Sequence, residues 1–238
     1  MITMSLAPAS LPAGQRVYAI GDVHGCSDRL AMMHRLIGND LAARPVAEPT
    51  IVHLGDYIDR GEDSAGVIER LLRGWPAPAP RLVNLMGNHE AMMLGALDGG
   101  DADEVMNWLA NGGAPSLASW GVPRRARPRE WRRSIPPEHV AFMRALALHH
   151  QQGGYVFVHA GLRPGVPLAR QSRHDLLWIR EPFLSWTGEL PGVVVHGHTP
   201  GHEVAARGNR IGVDTGAVMG GVLTCVVLED DRMGFLRA

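Results

Sequence analysis

Cysteine is almost absent from this 238-residue chain: Cys26 and Cys225 stand alone and far apart. A disulfide framework and a zinc ribbon are thereby excluded, and the usage fits a reducing cytoplasm. No stretch approaches the roughly 18 consecutive apolar residues that a membrane span needs. Net charge is also lacking, at −1, so no global field recruits nucleic acid or an anionic membrane. Residues 1–15 have neither a basic n-region nor a sustained apolar core. They read as a loose leader rather than a signal peptide, ahead of a single domain over 16–238. There is no internal repeat. The one low-complexity piece, WPAPAP at 75–80, reads as a stiff extended loop. No Gly-x-Ser-x-Gly elbow occurs, Cys26 has no evident catalytic partner, and nothing indicates a regulatory subunit.

Hydrophobic residues make up 45% of the chain. A domain of this length buries about 70–75% of its unfolded surface, so its core needs no disulfide or structural metal. Strand and helix alternate in the first half. VYAI (17–20) runs into GDVHG. Ser27 then N-caps a helix through about Leu41, with Leu30, Met33, Leu36, Ile37 and Leu41 at helical spacing. TIVHL (50–54) runs into GDYIDRG, SAGVIERLLRG (64–74) is a helix with a glycine stop, and RLVNLM (81–86) runs into GNHE. Residues 90–148 read as mostly helical, with His149 and His150 at the end of the last helix. Strands return in GGYVFVHAG, GVVVHGHTP, RIGVDTG and GGVLTCVVLED. Five strands therefore end in turns that carry Asp, His or Asn. Ligand sites of open α/β sheets lie outside the carboxyl ends of the strands, so these turns are expected to face one crevice.

The residues of those turns form a chemical set. Asp22 and His24 can converge from a single turn, Asp56 is a carboxylate able to bridge two metals, Asn88 offers an amide oxygen, and His159 and His198 offer imidazole nitrogen. Nitrogen and oxygen donors without thiolate favour Mn, Fe, Zn or similar ions. Two such ions roughly 3.5–4 Å apart would share Asp56 and a bridging hydroxide, which attacks a phosphate in line. His89 suits a general acid for the leaving alkoxide, with Asp59 holding its tautomer. Arg60 and a second Arg could grip phosphate oxygens.

GDVHG, GDYIDRG and GNHE, in this order, resemble the signature of the phosphoprotein phosphatase (PPP) family of metallophosphoesterases. The spacing fits, with Asp22, Asp56 and Asn88 standing 34 and 32 positions apart. NWLANGG (107–113), WIRE (178–181), GHTP (197–200) and DTGAV (214–218) are similar to segments of the group that includes the bacteriophage lambda protein phosphatase and its bacterial relatives. The resemblance runs from about residue 17 to 228. It implies an α/β fold, a calcineurin-like β-sandwich flanked by helices, with a mostly helical insertion in mid-chain. It also implies two divalent ions, Mn²⁺ first and Fe or Zn as alternatives. Metal one would take Asp22, His24 and Asp56, and metal two Asp56, Asn88, His159 and His198. His89 with Asp59 would be the acid pair, and Arg60 and Arg180, with Asn88, would bind phosphate. The activity implied is a phosphomonoesterase, foremost a protein serine/threonine phosphatase acting on phosphoproteins or phosphopeptides.

A symmetrical dinucleoside-tetraphosphate hydrolase is the alternative. That branch is similar at GDVHGC and DTG, but usually has Asp where Glu90 stands and lacks the full Asp-Arg-Gly of GDYIDRG. A broader phosphatase or phosphodiesterase is a lesser alternative. So is a catalytically dead phosphoprotein-binding module, but that would be expected to lose a ligand or the acid.

The remaining residues read more plainly. His198 is preferred to His196 as ligand, because in the family that the chain resembles the ligand is the His before Thr-Pro; His196 is expected in the core or behind a ligand. His53 and Tyr57 are expected to pack, and His34, His139, His174 and His202 to lie at the surface. The Arg-rich segment 124–133, six Arg against one Glu, is expected to be a solvated loop pinned by Trp120 and Trp131, with a cap that attracts acidic phosphopeptides or a polyphosphate as the alternative.

Overall fold

The computed structural model describes residues 2–76 and 79–238; Ala77 and Pro78, within the proline-rich stretch expected to be extended, lie outside the described residues. In chain order the elements are β1 (Ser5–Leu6), β2 (Gln15–Ile20), α1 (Ser27–Ala43), β3 (Glu48–His53), α2 (Ser64–Arg73), β4 (Arg81–Asn84), α3 (Asn88–Leu97) and α4 (Ala102–Trp108). A π-helical turn over Leu109–Gly113 leads to α5 (Ala114–Ser119), α6 (Pro128–Trp131) and α7 (Pro137–Arg144). Then follow β5 (His149–Gln152), β6 (Tyr155–Val158), α8 (Arg173–Trp178), β7 (Val193–His196), β8 (Ala205–Ala206), β9 (Arg210–Gly212), β10 (Thr224–Glu229) and β11 (Arg232–Arg237).

The strands form two sheets, ordered β1-β11-β10-β2-β3-β4 and β5-β6-β7-β9-β8. The period of two along each strand sets the layering. Val17 and Ala19 of β2, Val226 and Leu228 of β10, Tyr155 and Phe157 of β6, and Val193 and Val195 of β7 meet between the sheets. The alternate residues Tyr18, Ile20, Cys225 and Val227 pack with helices α1 to α3. On the far side, Val156, Val158 and Val194 pack against Leu176, Ile179 and Phe183. The result is a mixed α/β sandwich of two sheets between helices, with the expected helical insertion between β4 and β5.

Three local expectations are corrected. The leader is bound rather than loose: Ser5 and Leu6 pair with Met233 and Arg232 of β11, Leu11 is buried, and Tyr155 donates to the Ala9 carbonyl at 2.6 Å. The outer edge of β11 offers unpaired backbone groups, and the leader covers part of it. Ser27 is not the N-cap of α1. Cys26 holds that position, while Ser27 Oγ donates to Asp63 Oδ2 at 2.5 Å. His149 and His150 do not end a helix, because α7 stops at Arg144 and the two histidines pair antiparallel with Val158 and Phe157. A hairpin through Gly153, at φ 56°, recruits them into the sheet.

Candidate active site

Strands β2, β3 and β4 run parallel in one sheet, and β6, β7 and β9 run parallel in the other. Their carboxyl ends meet at one edge of the sandwich. There the turns are tied to one another: Val23 and His24 donate to the Asp56 carbonyl, Gly197 donates to that of His159, and the His198 N–H donates to both Asp22 oxygens at 3.2 and 3.0 Å. Among the described residues, five of the six non-glycine residues with positive φ are His24, Asp56, Asp59, Arg60 and His198. Left-handed backbone costs free energy, and its concentration at one edge marks a site whose turns are over-determined by their surroundings. Close approach demands glycine at Gly197, where a Cβ would fall on Asp22 Oδ1.

Glu90 holds two of the turns together. Fully buried, it accepts N–H bonds from Asp56 and Gly87 on one oxygen, at 3.0 and 2.9 Å, and from Tyr57 and Ile58 on the other, at 2.8 and 3.3 Å. Burial and the neighbouring Asp56 push its pKa up, and these amide donors pull it back.

Between the turns lies a buried collection of acceptors. His159 donates Nδ1–H to the Leu54 carbonyl at 3.0 Å, so its Nε2 carries a lone pair, and that atom sits 2.9 Å from Asn88 Oδ1. His198 Nδ1 lies 2.8 Å from the same oxygen. His24 donates Nδ1–H to the Ile58 carbonyl at 2.9 Å, leaving Nε2 facing the site 3.5 Å from Asp56 Oδ2. Ligand atoms of His24, Asp56 and His89 lie within 4.8 Å of one another, and so do those of Asp56, His159 and His198. Asp56 belongs to both groups. Asp22, expected in the first, stands beside it, with Asp214 as its neighbour. Lone pairs facing lone pairs away from water are unfavourable unless a cation joins them, so this donor set fits a divalent metal centre.

The electrostatics agree. Burial lowers the pKa of His24 to about 4 and that of His198 to about 3, and it lowers His159 also, so all three are neutral rings with a lone pair available to a metal. Burial works against ionisation of Asp56, yet His159, His89 and His24, which are protonated in the acid range where it titrates, hold its pKa below the usual range. Burial, then Asp214 and Asp56, push Asp22 well upward; burial carries Asp214 to about 6.

His89 differs from the other imidazoles. Its Nδ1 bonds Asp59 Oδ2 at 2.7 Å, and its Nε2 points back to the acceptors, 3.9 Å from Asp56 Oδ2. Burial opposes its protonation, but Asp56 and Asp59 carry its pKa above the ordinary histidine value. Arg60 reaches from its exposed position to the site-facing nitrogens of both rings, with 3.0 Å from Nη1 to His24 Nε2 and 3.0 Å from Nη2 to His89 Nε2. Arg180 is exposed, and its charge helps to depress His198.

Of the other residues, His53, Tyr57 and His196 are buried as expected, and His174 and His202 are exposed. His139 is not at the surface, because Trp120 Nε1 donates to its Nδ1 at 3.0 Å in the core. His34 is half-buried against His53 and Trp75. Segment 124–133 exposes its arginines and is anchored by buried Trp120 and Trp131. Sequence reading missed Trp108, Ser116 and Asp214 at the site. NWLANGG and DTGAV were the signals for Trp108 and Asp214, and Ser116 had none.

Two sheets with carboxylate, amide and imidazole donors converging at one edge, beside a histidine–aspartate pair, describe a metal-dependent phosphoesterase. The calcineurin-like phosphoesterase family matches residues 15–220, and the chain belongs to it. Serine/threonine-protein phosphatase 1 of Salmonella typhimurium is 30% identical over 231 residues, spanning 90% of this chain and 93% of that protein, which sets the chain among PPP-type members. The symmetrical bis(5'-nucleosyl)-tetraphosphatase of Acidovorax sp. JS42 is 29% identical over 178 residues, spanning 75% of this chain but 51% of that protein. A cold-active protein tyrosine phosphatase structure superposes with a TM-score of 0.63 at 17% identity over 96% of this chain and 81% of that one, which shows the shared fold. No helix among the described residues is long and apolar enough to cross a membrane.

Proposed function

We propose that this metallophosphoesterase is a phosphomonoesterase that removes phosphate from phosphoserine and phosphothreonine in proteins or peptides. The observation that carries the reading is Asp56, shared by two ligand groups, with His89 Nε2 facing it from the Asp59 side. Asp22, His24 and Asp56 would hold one divalent ion, and Asp56, Asn88, His159 and His198 the other, with Mn²⁺ first and Fe or Zn as alternatives. Such ions supply Lewis acidity, polarising the phosphate and activating water at neutral pH.

The chain's own groups do the rest. Arg60 and Arg180 grip non-bridging phosphate oxygens through guanidinium forks, aided by the Asn88 amide. As a water oxygen bonds to phosphorus and the P–O bond to the seryl or threonyl oxygen breaks, His89 passes the proton on Nε2 to that oxygen, and Asp59 keeps the ring aimed. The Asp59 carboxylate on Nδ1, at 2.7 Å, supports a ring that carries its second proton on Nε2.

The second reading is a dinucleoside tetraphosphatase, favoured by the Acidovorax relative; coverage of the whole Salmonella phosphatase weighs for the first. A panel of a phosphoserine peptide, a phosphothreonine peptide and diadenosine tetraphosphate, each with Mn²⁺, Mg²⁺ and Zn²⁺, separates them. Phosphate release from the peptides is the expected result. Efficient ADP release with inert peptides would replace the first reading with the second.

A further inference from the structure

We propose that Trp108 and Ser116, both supplied by the helical insertion, are positioning residues that act through Asp59 on His89. The proposal rests on the reading of His89 as the proton donor.

Asp59 is fully buried. Its Oδ2 accepts from His89 Nδ1 at 2.7 Å and from Trp108 Nε1 at 2.8 Å, and its Oδ1 accepts from Ser116 Oγ at 2.6 Å. An indole N–H can only donate, so Oδ2 can only accept. The hydrogen of Ser116 is equally determined. Its oxygen receives the Asp59 N–H at 2.8 Å and lies 2.9 Å from Ser64 Oγ, so Ser64 donates and the one Ser116 hydrogen goes to Oδ1. Turning the carboxylate would break three bonds in a dry interior and leave buried polar groups without partners. One orientation is left, with the hydrogen on His89 Nδ1 and the Nε2 side facing Asp56.

The braces are themselves braced. Trp108 is fully buried, its ring lies edge-on to Trp131 at 5.5 Å, and a Cβ on Gly113 would strike the indole at 2.6 Å. The insertion also fixes the neighbouring turn, since the Arg60 N–H donates to the Gly112 carbonyl at 3.0 Å. Turns at the sheet edge bring Asp59 and His89 together, but two of the three side-chain donors on Asp59 come with His89 itself set aside, from α4 and α5. The insertion thereby acts as the holder of the acid pair.

A loosened Asp59 lets the His89 ring swing, which matters most when the leaving oxygen needs a proton. Alkyl leaving groups such as the serine oxygen need it; 4-nitrophenolate hardly does. The test uses the Mn²⁺-loaded full chain. Trp108→Phe and Ser116→Ala are made in the wild-type and in the His89→Asn background. Turnover of a phosphoserine peptide and of 4-nitrophenyl phosphate is measured with metal content and melting temperature. Each substitution is expected to slow the peptide by about 10-fold or more, the range for partners that orient an active group, and 4-nitrophenyl phosphate by less than about 3-fold. Neither should add a further loss when His89 is already Asn, because residues acting as a unit are not additive. Equal losses on both substrates, or full additivity with His89→Asn, would assign the two residues to folding alone and overturn the proposal. Near-wild-type peptide turnover by His89→Asn would instead bring down the acid reading itself, and the proposal with it. Ser116→Ala removes a single hydroxyl, so it carries the test should Trp108→Phe fold poorly.

Discussion

Strand β2 has a polar cluster at each end, half-buried at its start and buried past its end, and the two are built on opposite rules. At its start, Arg16 bonds Glu229 at 2.6 Å and the Arg44 carbonyl at 2.6 Å, Tyr18 donates to Asp40 at 2.6 Å, and Arg44 closes the ring to Asp40 at 2.7 Å and Glu229 at 3.0 Å. Every charge there has an opposite partner. Past the other end, Asp22 joins Asp56, Asn88, Asp214 and three neutral imidazoles, and the arginines near them, Arg60 and Arg180, are both exposed. The first cluster is complete as it stands and serves the fold. The second is a collection of acceptors that asks for a cation, and strained turns hold it in place. A buried polar cluster therefore signals binding through its imbalance rather than its size.

The strongest challenge to that contrast is Asp56→Asn. If Asp56 serves both metal groups, the substitution should remove both ions and cut turnover by more than about 10⁴-fold, the upper range for loss of a proton donor alone. Elemental analysis showing one ion retained at full occupancy would break the sharing. Next comes His89→Asn, expected to retain both ions and lose about 10²–10⁴-fold on a phosphoserine peptide. Arg16→Met sharpens the comparison from the other end of β2. Breaking the balanced cluster should cost about 3 kcal/mol, read as a melting temperature lower by roughly 10 °C, with kcat and metal content unchanged at a permissive temperature. A change in metal content would mean that the two ends are not independent.

The smallest effect is one of pH. Burial, with Arg70 nearby, lowers His34 to about 4, and burial with His34 nearby lowers His53 to about 3, against 6.5 in an unfolded chain. Folded-state values below the unfolded one mean that the unfolded chain binds more protons in acid. The stability from these neutral rings is therefore complete above pH 6.5 and is lost as the pH falls towards 4. Replacing both by Gln should flatten the fall in melting temperature between about pH 7 and 4.5. Parallel curves for the two proteins would show that neither ring titrates in that window.

The turns at the site were legible because each carries its chemistry locally, at the end of a β-branched or apolar strand. The rule that parallel strands deliver their carboxyl ends to one edge was enough to gather Asp22, His24, Asp56, Asn88 and His159 there, while preferring His198 to His196 also took the family resemblance at Thr-Pro. What escaped was built from partners distant in sequence. Glu90 looked like a family marker, yet its partners are backbone N–H groups of two turns, which no residue pattern announces. Ser116 reaches Asp59 across 57 positions and has no local signature. His149 and His150 followed a helical run and carry little strand propensity, so only pairing with β6 assigns them. The leader reads as loose until the open edge of β11 and the Tyr155 hydroxyl are available to hold it.

The central claim is a pair of divalent ions held in common by Asp56. Anomalous diffraction from crystals grown with Mn²⁺, collected on both sides of the manganese edge, tests it most directly. Two manganese peaks per chain are predicted, both within coordination reach of the Asp56 carboxylate. A single peak, or peaks that leave Asp56 without a metal neighbour, would contradict it.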